Sequence, residues 1–494
     1  GSVLEDNPRA IAETLAERLR DEVDPARIQN VAVAGPGFIN FRFAQDYLFE
    51  GLSDLLAEGD TFGQTDAGEG QRALVEYVSA NPTGPLNVGH GRNAVLGDTI
   101  ANLLDWTGYE VTREYYYNDA GRQMRVLAQS VRARYEERAA EAVPTRTLTL
   151  DDETTVEVPE SFPEDGYLGQ YIVDIAEDLY AKHGDALLDT EDTTPFREAA
   201  EDAIFADIGA TLRALNVDID AFANEQDLYD EGGVQDVLDG LEEANYTYED
   251  EGALWLKTTE FGKEDDTVLI KQTGEPTYRT PDIAYHAHKF ERGYDLMVDV
   301  FGADHHAAYP DVLSALDVLG YDVDRVDIVL YQFVTLVRDG EPVKMSTRRA
   351  NYVTLDDLID QVLAEEESEK NPVFYLQYAH ARICSVLDTA EEVGFSHDEE
   401  ADLSRLTHEA EIALIKELLR FPQALQNAAD ARAPHFVPNY LRDVATAFSQ
   451  FYDNCRIIGE EDELASARMR LALAAKTVLN NGLTVLGISA PRRM

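Results

Sequence analysis

The chain runs to 494 residues, 44% of them hydrophobic, with 95 acidic and 41 basic side chains and a net charge of −54. That length holds about two to four domains, no apolar run approaches the roughly 20 residues that span a bilayer, and no signal-peptide pattern opens it, so a cytoplasmic protein without a membrane partner is expected. Two cysteines, Cys384 and Cys455, neither in a CxxC, exclude a disulfide framework and argue against a cysteine zinc site.

Residues 1–70 open with a helix over "NPRAIAETLAERLRDEV", continue into strand-like "IQNVAVAGPGFINFRF", and close on a second helix around 46–58. From 71 to about 360 strand and helix patterns alternate, which suggests a parallel α/β sheet with insertions. Its first strand, "ALVEYVS" at 73–79, runs into "NPTGPLNVGHGRNAVLGD" at 81–98, with two prolines and four glycines. Val95, Leu96, Ile100, Leu103 and Leu104 then recur at helical spacing up to Gly108. Strand, glycine-rich loop and helix bring a phosphate against the amides of a helix N-terminus; by itself the pattern equally fits a tight turn with a surface histidine. The stretch 144–166, rich in Thr, Asp, Glu and Pro, reads as an exposed insertion or loop.

A second loop follows the strand-like "VDIVLYQFVTLV": it turns at Asp339-Gly340 and continues as "EPVKMSTRRANY" into a helix that Thr354 and Asp357 would cap as a capping box. Lysine is scarce, nine in the chain, so Lys344 stands out there. Residues 371–494 form four long amphipathic helical segments, the pattern of a bundle. They hold 12 basic and 17 acidic residues, net −5, against −49 for the remaining 370. Overall acidity argues against a nucleic-acid partner, but this part is about three times less acidic per residue and has kept its arginines.

The two loops, about 250 residues apart, are the double signature of class I aminoacyl-tRNA synthetases: "LNVGH" resembles their HIGH motif and "KMSTR" their KMSKS motif. The stretches "VEYVSANPTGPLNVGHGRNAVLGD", "GEPTYRTPDIAYHAHKFERGYDLMVDVFGADHHAAYP", "FYLQYAHARICSVL" and "GLTVLGISAPRRM" resemble arginyl-tRNA synthetases in particular, and "AGPGFINFRF" the close of that family's additional N-terminal domain. With its acidic, lysine-poor surface, the chain is similar to haloarchaeal members; at about 1 M salt a Debye length near 3 Å screens such a surface.

The resemblance implies an α/β class I fold. A Rossmann-like parallel-sheet catalytic domain with insertions would occupy 71–365, a small α+β N-terminal domain that binds the tRNA elbow 1–70, and an all-α anticodon-binding bundle 366–494. It implies an arginine–tRNA ligase that makes arginyl-adenylate from L-arginine and ATP, with tRNA bound, and passes arginine to the 3′-terminal adenosine of tRNA(Arg). Asn87 and His90 would donate to phosphate oxygens, with Val88 and Gly89 against ATP, where Gly89 leaves room for adenine. Lys344 would reach the β- and γ-phosphates as charge builds, with Met345, Ser346 and Arg348 in the same ATP-binding loop. Gly302, Asp304 and His305 would line the adenosine side; the residues alone also admit a metal reading of "DHH", without further ligands of suitable spacing. No protein-bound metal is expected, and Mg2+ arrives with ATP.

A guanidinium demands planar recognition by carboxylates. Glu76 and Asp282 match the family's acidic pocket positions, and Asn81 and Tyr278 its polar and aromatic ones. An acid inside a parallel-sheet strand is costly unless partnered, which sets Glu76 apart from a surface acid. Tyr375, Tyr378, His380 and Arg382 along one helix would offer stacking faces and a cation to tRNA, an ordinary core stripe being the alternative; Asn40 and Phe43 would touch the tRNA elbow. A monomer is expected, with tRNA(Arg), L-arginine and ATP as partners.

Three departures from the family stand out. Asn87 replaces a histidine, tens of residues that usually precede "NPRAIAETL" are absent, and "VLAEEESEK" bridges a connection that is normally some twenty residues longer. Two other readings remain at this point. An HxGH nucleotidylyltransferase would leave KMSTR and the helical tail unexplained; a non-catalytic RNA-binding relative sits poorly with Glu76, His90 and Lys344.

Overall fold

The computed structural model describes residues 7–119, 121–139, 143–149, 155–332, 334, 337–338, 341–342, 353–364, 372–395 and 398–494. The expected ATP-loop residues Lys344, Met345, Ser346 and Arg348 lie outside them. The chain divides into two compact units: Gly1–Ala67 with Trp106–Gly108 and Glu367–Met494, and Gly68–Asp105 with Tyr109–Glu366.

At the N-terminus, α1 (Pro8–Glu22) starts where the Asn7 side chain accepts the Arg9 N–H and Pro8 presets the first turn. Strands β1 (Ile28–Ala34) and β2 (Phe38–Phe43) pair as an antiparallel hairpin. Helix α2 (Gln45–Glu58) buries Leu48, Phe49, Leu52 and Leu55 along one face.

The second unit is built on β3 (Arg72–Glu76), α3 (Val88–Trp106), β4 (Glu110–Tyr117) and α4 (Gly121–Ala139), followed by a hairpin of β5 (Thr145–Thr149) and β6 (Thr155–Pro159). Then come α5 (Gln170–His183), α6 (Thr194–Ala214), β7 (Ala221–Asn224), α7 (Glu225–Asp230) and α8 (Gly233–Glu243). A small antiparallel sheet of β8 (Thr247–Asp250), β9 (Ala253–Leu256) and β10 (Thr267–Ile270) precedes α9 (Arg279–Glu291), β11 (Leu296–Gly302), α10 (Tyr309–Val318), β12 (Val326–Tyr331) and α11 (Leu355–Ala364). The central sheet is parallel, in the order β12-β11-β3-β4-β7. The chain winds outward from β3 through β4 and β7, then returns to build β11 and β12 on the other side. The switch point, where a doubly wound sheet opens a crevice at its carboxyl edge, therefore lies between β3 and β11. Ala73, Val75 and Tyr77 pack with Ala94, Ala101 and Leu104 of α3 and with the α4–α6 layer.

Three expectations change in detail. The strand expected over 73–79 ends at Glu76, because Val78 and Ser79 turn to φ of 67° and 42° and leave the sheet. The insertion at 144–166 is a hairpin rather than a loop; Val158 and Phe162 bury against Ala133. Among its described residues the helical tail has five helices where four were expected: α12 (Pro372–Glu392), α13 (Glu409–Leu418), α14 (Phe421–Asp430), α15 (Phe436–Asn454) and α16 (Asp462–Val485). Pro422 opens α14, since it cannot donate within a continuing helix. In the same unit Asn481 on α16 donates to the Gly59 and Phe62 carbonyls, both at 3.0 Å, tying the bundle to the segment after α2.

Candidate active site

The loop after β3 is held in a strained shape by side chains from three elements. A β-branched residue at positive φ costs on the order of 1–3 kcal/mol. At Val78 the cost is offset by Asn93 on α3, whose Oδ1 accepts the Val78 N–H at 2.8 Å while its Nδ2 donates to the Val300 carbonyl of β11 at 2.9 Å. Asn93 thus clamps the two strands that flank the switch point. The Ser79 hydroxyl donates to Glu76 Oε1 at 2.9 Å and accepts the Tyr116 N–H at 3.1 Å.

At the start of α3, Asn87 and His90 cap each other. Asn87 Oδ1 accepts the N–H groups of Gly89 (2.8 Å) and His90 (3.1 Å), and His90 Nδ1 accepts the Asn87 N–H at 3.2 Å. This is the reciprocal logic of a capping box, and it explains how asparagine serves here. A Cβ at Gly89 would sit 3.0 Å from that Oδ1 and crowd the cap. With Nδ1 accepting, Nε2 carries the hydrogen; burial lowers the imidazole pKa to about 4 and keeps it a neutral donor. Asn87's oxygen is committed to the helix, so its amide nitrogen is the donor left for a ligand. Beyond the second loop, Thr354 bridges to Asn87, and the expected capping box is present: Thr354 N–H to Asp357 and Asp357 N–H to Thr354 Oγ1, both 2.9 Å.

These elements enclose a cavity of about 580 Å³ at the carboxyl ends of β3 and β11. It brings together Glu76, Asn81, Asn87, Gly89, His90, Tyr278, Asp282, Gly302 and His305 from four separate stretches of sequence. Tyr278 stands at its mouth, 77% exposed, and His305 stacks on Phe301 at 4.9 Å. Val88 is not among the walls: its side chain turns into the core. The Asp304 side chain lies outside the described residues.

The electrostatics are those of a pocket short of a cation. Asp282, on α9, accepts no side-chain hydrogen bond among the described residues; burial, with Glu76 and Glu225 nearby and His286 opposing them, pushes its carboxyl up to about 7. Glu225 is raised by burial too, and receives the Tyr116 hydroxyl at 2.9 Å. Tyr116 in turn stacks on Tyr285 at 4.2 Å. Glu76 is buried as expected but is not unpartnered: its Oε2 receives Lys289 Nζ at 2.6 Å, and the same ammonium lies 2.5 Å from Asp299 Oδ1. Burial raises the Glu76 carboxyl above its ordinary value, and Lys289 holds back part of that rise. Burial alone would lower Lys289, but Asp299 and Glu76 outweigh it and push the ammonium up to about 12.

Sequence reasoning passed over Asn93, Tyr116, Glu225, Tyr285, His286, Lys289 and Asp299. A signal existed for part of the set: Asp282, His286 and Lys289 follow the i, i+4, i+7 spacing of one helix face, and lysine is rare in this chain.

The expected tRNA contacts fall on other elements. Asn40 and Phe43 are exposed on β2, and Tyr375 and Tyr378 are partly exposed on α12. The Arg382 guanidinium stacks over Tyr452 at 4.5 Å beside a cavity of about 500 Å³. His380 belongs elsewhere: it is buried, with Nδ1 2.9 Å from the Pro491 carbonyl, and it anchors the C-terminal segment instead of facing solvent. Among the described residues no helix is long and apolar enough to cross a membrane.

Known proteins resemble this chain across nearly its whole length. Residues 51–403 match the catalytic domain of class I (R) tRNA synthetases, 376–494 the DALR anticodon binding domain, and 2–43 the arginyl tRNA synthetase N terminal domain. The chain is 81% identical to an arginine–tRNA ligase of Salinibacter ruber, over 100% of this chain and 92% of that protein. That alignment spans 516 positions against 494 residues here, so at least 22 positions of it face no residue of this chain. A crystal structure of a putative arginyl-tRNA synthetase from Campylobacter jejuni is 31% identical, with TM-score 0.80 over 91% of this chain and all of that one. The Thermus thermophilus arginyl-tRNA synthetase, 24% identical over all of this chain and 92% of that one, shares the fold with TM-score 0.74. The nucleotidylyltransferase reading offers no place for the matched helical domain. On this combined ground the chain belongs to the class I arginyl-tRNA synthetase family.

Proposed function

We propose that the cavity between β3 and β11 is where this arginine–tRNA ligase activates its amino acid. An arginine carboxylate oxygen attacks the ATP α-phosphorus, the bond to the β-phosphate bridging oxygen breaks, and pyrophosphate leaves. The terminal ribose hydroxyl of tRNA(Arg) then attacks the acyl carbon and releases AMP. Little proton transfer is needed in the first step, so the protein's work is positioning and charge stabilisation.

The observation that carries the reading is Asp282: a half-buried carboxyl with no hydrogen-bonded cation among the described residues, facing a cavity that already holds Glu76 and Glu225. A guanidinium supplies the missing charge and five donors. In this reading Asn81 and Tyr278 frame the amino acid at the mouth. His90 Nε2, the Asn87 amide and the backbone at Val88 and Gly89 meet the phosphates at the N-terminus of α3. Gly302, Asp304 and His305 border the adenosine. Lys344, Met345, Ser346 and Arg348 are assigned to the Mg2+-bearing ATP phosphates by their motif, with support from Thr354, which follows them in sequence and bridges to Asn87.

We further assign elbow binding to 1–70 through Asn40 and Phe43, catalysis to 71–365, and anticodon binding to 366–494 through Tyr375, Tyr378 and Arg382. The enzyme works as a cytoplasmic monomer in high salt. Charging of tRNA(Arg) with labelled arginine and ATP in molar KCl tests the assignment: Asp282→Asn should lose at least about 100-fold in kcat/KM for arginine with little change in the KM for ATP. Unchanged arginine kinetics would remove the pocket from this cavity.

A further inference from the structure

We propose that Lys289 is a positioning residue for the arginine pocket: an enclosed ammonium that keeps Glu76 an oriented anion, so that the incoming guanidinium meets two carboxylates and not one. The inference rests on the reading of the cavity as the arginine site.

Lys289 is 0% exposed and cannot touch a substrate. It sits behind the pocket wall, donating to Glu76 Oε2 at 2.6 Å and to Asp299 Oδ1 at 2.5 Å, with Nζ 4.3 Å from the Tyr285 ring centroid. Ser79 holds the other oxygen of Glu76, so both oxygens are fixed in direction from the protein side. Lys289 is shared between two carboxylates; Asp299 also takes His286 Nε2, which leaves Lys289 as the one cation bonded to Glu76 among the described residues, and Asp282 lies open beside them. His286 closes the network, with Nε2 2.8 Å from Asp299 Oδ2 and Nδ1 2.8 Å from the Asp282 carbonyl. The titratable and polar groups that face Glu76 include Ser79 from its own loop, Lys289, His286, Asp282 and Tyr285 from α9, Asp299 from β11 and Tyr116 from β4. Remove the ammonium and burial acts on Glu76 with less opposition. The carboxyl then binds a proton more readily, and a protonated Glu76 offers a donor where the guanidinium needs an acceptor.

The test is the arginine KM in tRNA charging from pH 6 to 8.5 in molar KCl, for the wild type, Lys289→Met and Lys289→Met/Asp299→Asn. The double variant removes one positive and one negative group together, and it is read in the same way if the single variant fails to fold. In the wild type, log KM should rise toward low pH with a slope approaching one, from Asp282. In the variants KM at pH 7.5 should rise about tenfold or more, with the KM for ATP unchanged. The slope below pH 7 should steepen toward about two, because Glu76 now titrates as well. A folded variant with the wild-type slope, whether KM is unchanged or raised uniformly with pH, overturns the proposal. Wild-type enzyme that shows no arginine-dependent charging overturns the site reading, and this role with it.

Discussion

At His90 the imidazole is an uncharged donor, because burial holds its pKa near 4 and Nδ1 is spent on the Asn87 N–H. Exchange activity between pH 6 and 8 should therefore show no step from His90, and His90→Ala should lower kcat by about 10²–10³, as loss of a preorganised donor does. Asp282 moves the opposite way. With its free carboxyl near 7 and its arginine-bound form ionised, binding should release roughly 0.9 proton at pH 6 and about 0.1 at pH 8. Calorimetric titration in buffers of different ionisation enthalpy reads that number directly; equal release at both pH values would refute it. The raised pKa also means that the stability Asp282 contributes while protonated is lost as pH rises from about 4 toward 7 in the empty enzyme, and that arginine restores it. That Glu76, His90 and Asp282 belong together was legible from residue type and motif, and they line one cavity. Lys289, Asn93 and Glu225 were not, because their partners lie 213, 207 and 109 positions away.

Among the elements, α3 does most to shape the site, and its fit on the sheet depends on one glycine. A Cβ at Gly97 would lie 2.2–2.3 Å from Cγ and Cβ of the buried Tyr77, on a segment with no freedom to retreat. Gly97→Ala should cost about 1–3 kcal/mol in denaturant unfolding at fixed salt, the usual range for overpacking, and should weaken ATP use as well, since α3 carries His90. Asn93→Ala should leave Val78 to bear its positive φ alone and lower kcat more than stability. The alternation of strands and helices and the cap at Thr354 could be read from local pattern, but α3 begins at Val88, seven residues ahead of the helical spacing expected from Val95, because Asn87 caps it within the glycine-rich stretch. The end of β3 could not be read either: "ALVEYVS" keeps strand propensity to its last residue, and bonds from distant partners, Asn93 on the next helix and Tyr116 on β4, hold Val78 and Ser79 out of the sheet. Pro422 did announce a break, but the apolar periodicity on either side of it outweighed a single residue.

For the molecule as a whole, a net charge of −54 with only nine lysines leaves strong self-repulsion at low ionic strength. The melting temperature should rise steadily between about 0.1 and 2 M KCl, as screening shortens the Debye length from about 10 Å to under 3 Å. A flat or falling curve would show that the acidic surface does not set stability. Bulk charge misleads about partners, because the unit that meets RNA in the proposed scheme is the one that has kept its arginines. The measurement that bears most directly on the account is arginine-dependent ATP–pyrophosphate exchange in molar KCl, with and without tRNA(Arg). Exchange is expected when arginine and tRNA are both present and not with arginine alone; a tube containing arginine, ATP and tRNA that shows no exchange would contradict the assignment.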